Sequence, residues 1–272
     1  MFGSTVLEVA VGLTFCYATV ALVVSTVQEA LASLFRMRAR TLFDGVKRML
    51  NDPQFTALAR ALYGHALVNA QADPRATDPR AMAGKPSYIE PADFALALIE
   101  SIQSIPGDFE QLGRDIDALP DIALRRALQG FHQRAQGDID AMQAAIAVWF
   151  DSAMERVSGS YKRRSMAVSL LLSLLLAVLF NIDSIHLFRA LWLHPTLAAH
   201  LSAAPGSLDQ AALDALWQLP IGWQSFPPQL DGQFVLRVAG WLLTASTALF
   251  GAPFWFDLMK KTVQVRGTGP KP

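Results

Sequence analysis

Three stretches of this chain, 9–27, 165–182 and 238–256, run without a charged residue for about the length of a bilayer. A hydrocarbon core of about 30 Å takes roughly 20 apolar residues in a helix. Charge or strong polarity marks each edge: Glu8 and Gln28 with Glu29 around the first, Arg164 and Asp183 around the second, Arg237 and Asp257 around the third. Lipid offers no partner to backbone N–H and C=O groups, so each stretch is expected to be helical. The run 170–180 is polar only at Ser173 and has no face to turn towards water, unlike a buried helix of a water-soluble fold. The first stretch is expected to remain as an anchor. A secretory signal would begin with basic residues, whereas MFGSTVLE has none and contains Glu8.

The overall composition agrees. Of 272 residues 52% are hydrophobic, mean hydropathy is +0.29, and 17% are charged, against about 25% in a typical soluble protein. With 23 basic and 23 acidic residues there is no global excess to neutralise nucleic-acid phosphates, so no nucleic-acid partner is expected. The single cysteine, Cys16, excludes an intramolecular disulfide and a cysteine-rich metal site.

The zero net charge hides an asymmetry that orients the chain. Arg36, Arg38 and Arg40 follow the first stretch; Lys162, Arg163 and Arg164 precede the second; Lys260, Lys261, Arg266 and Lys271 follow the third. Only Arg189 and Arg237 fall on the opposite side. Basic residues collect on the cytoplasmic side. The expected layout is therefore a first transmembrane helix with an outside N-terminus (1–35) and a cytoplasmic helical domain (36–164). A second transmembrane helix (165–186), a periplasmic loop (187–233), a third helix (234–257) and a cytoplasmic tail (258–272) follow. The fold class is all-α, an integral membrane protein with three transmembrane helices.

Residues 36–164 hold 17 basic and 16 acidic side chains, a near-neutral water-facing composition. Asp138 is expected to cap a helix whose apolar residues Ile139, Met142, Ile146, Trp149, Ala153 and Val157 recur at three and four. Pro120 is expected in the first turn of another, with Leu124, Leu128 and Phe131 on one face. Pro91 opens a third over Phe94, Leu98, Ile99 and Ile102, and an earlier helix is expected over 53–69. Between them 71–91, with its two DPR triplets, reads as a mobile loop. No strand-like alternation appears, which leaves a P-loop or Rossmann site nowhere to sit. In the outer loop, five prolines surround a short amphipathic helix expected over 207–219, and Trp192, Trp217 and Trp223 suit the headgroup level of a membrane cap.

Four ionisable residues stand out. Asp183 and Arg237 sit at the outer ends of the second and third stretches, where an ion pair is expected because an isolated charge is costly at that depth. Glu29 shares a helical face with Ser25, Gln28 and Ala32, a small-and-polar stripe suited to close helix contact. Asp257 closes the third stretch, just after Gly251 and Pro253, which are expected to kink it. The five histidines lack metal-binding spacing. No hydrolase, kinase or deaminase pattern occurs either. No catalytic residue, metal or cofactor is therefore assigned.

The terminal GAPFWFDLMKKTVQVRGTGPKP resembles the end of a family of uncharacterised bacterial inner-membrane proteins. Similar pieces are VSTVQEALASLFRMRARTLFDGVKRML, WFDSAMERVSGSYKRR, NIDSI and LPIGW. The resemblance implies a bacterial inner-membrane location and the three-span layout; it brings no activity. The expectation for function is a non-enzymatic membrane anchor or assembly subunit. It would bind another protein through the cytoplasmic domain, in a homo-oligomer or a heteromeric complex within the lipid bilayer. The alternatives are an oligomeric channel or transport component, and a membrane enzyme with an unrecognised motif.

Overall fold

A computed structural model describes residues 2–69, 84–193, 221–223 and 232–267. Among them every regular element is a helix: α1 (Phe2–Leu34), α2 (Met37–Met49), α3 (Leu58–Gly64), α4 (Pro91–Ile102), α5 (Phe109–Asp117), α6 (Ile122–Ala135), α7 (Ile139–Leu179), α8 (Ser184–Leu193), α9 (Gly232–Ala248) and α10 (Gly251–Gly267). The outer helix expected over 207–219, Trp217 and most of the 71–91 loop lie outside the described residues.

One helix, Val9–Leu34, is long and apolar enough to cross a membrane unaided. The other two apolar stretches each belong to a bent pair, α7 with α8 at 54° and α9 with α10 at 91°, which gives up to three spans if each pair counts as one. The third stretch is thus not one straight helix over 238–256. It turns sharply at Gly251, whose φ of 77° is open to glycine but strained for other residues. The 17 residues of α9 rise roughly 25 Å. The second stretch also departs from expectation, since α7 is a single helix of 41 residues. Nothing between Asp138 and Leu179 breaks it: no proline intervenes, and a switch from polar to apolar side chains leaves the backbone ladder intact.

The chain divides into two compact units, Ala32–Arg163 and the combination of Met1–Leu31 with Arg164–Pro272. The unit Ala32–Arg163 has one continuous core in which α2 to α6 and the first part of α7 bury Val46, Leu62, Phe94, Leu98, Leu128, Ile146 and Phe150. Phe94 and Phe150 stack at 4.0 Å between ring centroids. The caps follow the sequence closely. Pro91 stands in the first turn of α4. The Asp138 carboxylate accepts from the Asp140 and Ala141 N–H groups at 2.9 and 3.0 Å. Pro120, however, precedes the helix it was expected to open, because Asp121 takes the cap and accepts from Leu124 N–H at 2.7 Å. Over 53–69 only Leu58–Gly64 is helical. There Asp52, 5% exposed, accepts from the N–H groups of Thr56, Ala57 and Ala59 at 2.9–3.2 Å, and holds the preceding residues in a tight turn.

In the other unit, α1 packs through two patches. Val9 and Cys16 meet Leu187 and Leu191 of α8. Ala18, Ala21 and Val24 meet Ala248 of α9 and Ala252 and Trp255 of α10. Alanine on both sides lets the backbones approach closely, the packing that membrane helices favour. Gln28 adds a polar tie: its amide nitrogen donates to the Ser165 hydroxyl of α7, and its amide oxygen accepts from the Ser169 hydroxyl.

Candidate functional site

In the unit of Met1–Leu31 with Arg164–Pro272, a knot of polar contacts forms where α7 ends. Asn181 adopts the left-handed conformation with φ 47°. Its N–H donates to the Val178 carbonyl at 3.1 Å and that of Ile182 to the Ala177 carbonyl at 2.8 Å. This pair of bonds closes a helix when a residue after the C-cap turns left-handed, and asparagine tolerates the turn better than most. Two carbonyls further along are taken from outside the helix. The Trp223 indole N–H points between the Val178 and Leu179 oxygens at 3.1 and 3.2 Å, and Gly222 N–H reaches the Phe180 oxygen at 2.8 Å. The Asn181 amide donates to the Gly222 carbonyl at 2.9 Å and accepts from the Trp241 indole at 3.1 Å. NIDSI and LPIGW, far apart in sequence, therefore meet through Asn181, Gly222 and Trp223.

One residue later a new helix starts. Asp183, 6% exposed, accepts from the Ile185 and His186 N–H groups at 2.8 and 3.2 Å and caps α8. Its carboxylate lies so close to α9 that a Cβ on Gly240 would overlap it. Beneath it, the Ser184 and Thr244 hydroxyls lie 2.8 Å apart, and Thr244 also reaches the Ile182 carbonyl at 2.7 Å. Side chains of Asn181, Asp183, Trp223 and Thr244 and the Gly222 N–H thus take up several of the backbone groups that the break exposes.

Beside this knot is a cavity of about 130 Å³ lined by Asp183, His186 and Arg189 together with Trp223, Gln233 and Arg237. The two residues expected to form an ion pair therefore share a cavity. They do not pair: no ion pair within bonding distance joins Asp183 and Arg237 among the described residues. The Asp183 carboxylate is turned towards the α8 N-terminus instead. Glu29 and Asp257 are exposed on α1 and α10, and neither lines this cavity. Within the stripe around Glu29, Gln28 reaches across to Ser165 and Ser169 of α7. No group of three or more metal-ligating side chains forms among the described residues.

The unit Ala32–Arg163 carries a larger groove of about 670 Å³. Buried Phe150 lies at its base with Leu42, Ile89, Met154 and Val157, and exposed Arg38, Asp151, Glu155 and Lys162 also line it. Tyr88 stands at its side, 68% exposed. The Tyr88 hydroxyl donates to the Glu90 carboxylate at 2.7 Å, which holds the phenol above its ordinary range. Sequence reasoning missed this groove because Ser87, Tyr88 and Ile89 sit beside the long loop, while their partners lie some sixty residues on.

No protein-family model, curated protein or solved structure matches the chain.

Proposed function

We propose that the protein is a three-span bacterial inner-membrane anchor whose cytoplasmic unit, Ala32–Arg163, docks a segment of a partner protein. The groove around Phe150 and Met154 carries this reading: it joins an apolar base to exposed charges of both signs. Interface cores are apolar and depleted of charge while their rims are polar. A partner helix with an apolar stripe flanked by Lys or Arg on one side and Glu or Asp on the other would complement it.

The lysine and arginine flanks support the orientation, with α1, the α7–α8 pair and α9 as the spans. α10 then lies along the inner interface, its Lys260 and Lys261 facing headgroups. The breaks favour an anchor over a carrier. Carriers leave half-helix ends free near the midplane to hold substrate or ions, whereas here the Trp223 and Trp255 indoles occupy carbonyls beside both breaks.

A photo-crosslinking residue at Tyr88 should yield one discrete protein adduct in cells, and one at Ile122, 59% exposed, should yield none. Equal adducts from both positions, or none from Tyr88, would count against the groove. Impermeant thiol labelling in a Cys16→Ala background tests orientation: Gln210→Cys should react in intact cells and Ala118→Cys should not.

A further inference from the structure

The sequence pairs Arg237 with Asp183, and the structure breaks that pairing. Asp183 is committed to the α8 N-terminus and wedged against Gly240, and it is the lone carboxylate among the residues lining the cavity. Arg237 is left half-buried, and Arg189 faces the same cavity from α8. Among the described residues neither guanidinium has a hydrogen bond or an ion pair. A half-buried guanidinium without a counter-charge is costly, and five N–H donors in a planar fork match the oxygens of a phosphate. At about 130 Å³ the cavity has room for an anion larger than a single water.

Other features carry less. The apolar hollow beside Cys16 and Phe180 offers only the Thr19 hydroxyl, which is already bonded to the Phe15 carbonyl. Gln28, Ser165 and Ser169 already satisfy one another.

We propose that the cavity between α8 and α9 binds a phosphate group through Arg189 and Arg237, with Gln233 and the Trp223 ring completing its wall. Two sources share that chemistry, the phosphodiester of an anionic lipid and a free phosphate anion. Asp183 lines the same cavity, with one carboxylate oxygen held by the Ile185 and His186 N–H groups.

The test uses the full chain purified in neutral detergent and in nanodiscs. Tryptophan fluorescence is titrated with inorganic phosphate, and native mass spectrometry counts retained phosphatidylglycerol against phosphatidylcholine. Arg189→Gln and Arg237→Gln are each expected to weaken binding about tenfold, the loss of one charge-assisted hydrogen-bonded contact. Arg237→Lys should recover part of it. Binding of both probes supports a site open to free anions; retention of phosphatidylglycerol alone supports a lipid site. The proposal is overturned if the wild type binds neither probe, or if Arg189→Gln binds as the wild type does. Arg189 is exposed, so that variant stays informative should Arg237→Gln fold poorly. The lipid arm rests on the three-span reading and the phosphate arm does not, so an error in topology would show in thiol labelling while leaving the phosphate titration intact.

Discussion

The Asp183 carboxylate fills the space that a Cβ on residue 240 would occupy. Glycine at 240 is thus what lets α9 pass the capped start of α8. Gly240→Ala would drive the carboxylate off the Ile185 and His186 N–H groups. In a helix interior the alanine alone would add about 1 kcal/mol, but losing the two charge-assisted bonds that cap α8 costs about 1.5–3 kcal/mol each. The variant is therefore expected to melt lower in detergent. In an Asp183→Ala background the same substitution should be neutral or stabilising, and a double-mutant cycle by thermal unfolding would expose that change of sign.

Trp223→Phe and Trp255→Phe isolate the two indole bonds while keeping much of the ring packing. Trp255 donates to the Thr247 carbonyl at 2.8 Å and packs against Tyr17 at 5.0 Å between centroids. Each substitution is expected to cost about 0.5–1.5 kcal/mol, the net worth of one hydrogen bond, because the Val178 and Thr247 carbonyls keep the Asn181 and Phe250 N–H groups as donors. Amide exchange should rise around residues 178–183 in the first variant and around 247–251 in the second. A uniform rise across the chain would mean that the indoles act through general packing and not as local caps.

Much of this architecture is legible from residue types alone. Charge-free length marks the apolar stretches, Pro91 and Asp138 mark helix starts, and Gly251 with Pro253 marks the bend. Harder to read is which partner a polar residue chooses. Asp183 looks like half of an ion pair when only depth is considered, yet Asn181 followed by Asp183 is also a stop signal followed by a start signal, and local backbone donors at fixed distance outcompete a long, flexible arginine. α5 escaped because its nine residues carry Glu110, Arg114, Asp115 and Asp117 and bury only Leu112 and Ile116. The 41-residue α7 escaped because a change of solvent reads as a boundary, although backbone hydrogen bonding does not stop there. The groove at Phe150 joins segments that no local pattern connects.

Two surface carboxylates give the unit Ala32–Arg163 an acid sensitivity. A Ser104 N–H bond holds Asp115 below its ordinary value of 3.8, and a Leu124 N–H bond, helped by Asn51, does the same for Asp121. A lowered folded-state pKa adds stability that is complete above the unfolded value and fades as pH falls from 3.8 through the lowered one. Asp121→Asn is expected to be less stable than wild type at neutral pH and to approach it in acid. Near-ultraviolet circular dichroism against pH would follow this, and a constant offset across that window would contradict it.

Helix α2 meets α7 at Gly45, where a Cβ would lie 2.9 Å from Val157 Cγ2. That is closer than non-bonded carbons sit, and β-branched valine has little rotamer freedom in a helix with which to yield. Gly45→Ala should destabilise by about 1–3 kcal/mol, the usual range for overpacking. Val157→Ala, by removing the clashing methyls, should restore most of the loss in the double variant. Chemical denaturation of the three proteins is sufficient to decide.

Tyr63 makes the opposite prediction, that a deletion should help. It is 3% exposed, packs edge-on against Phe43 and Phe55 at 5.2 and 5.9 Å between centroids, and its hydroxyl finds no hydrogen-bond partner. An unpaired buried hydroxyl costs about 1–3 kcal/mol, so Tyr63→Phe, which keeps the ring, is expected to raise the melting temperature. Burial also pushes the phenol above its ordinary value of 10.0. A raised folded-state pKa means stability that is intact below 10.0 and is lost as pH climbs from there towards the raised value, because the unfolded chain ionises first. Tyr63→Phe should therefore hold its advantage at neutral pH and widen it in alkali. A phenylalanine variant that melts below wild type at pH 7 would show that the hydroxyl does find a partner.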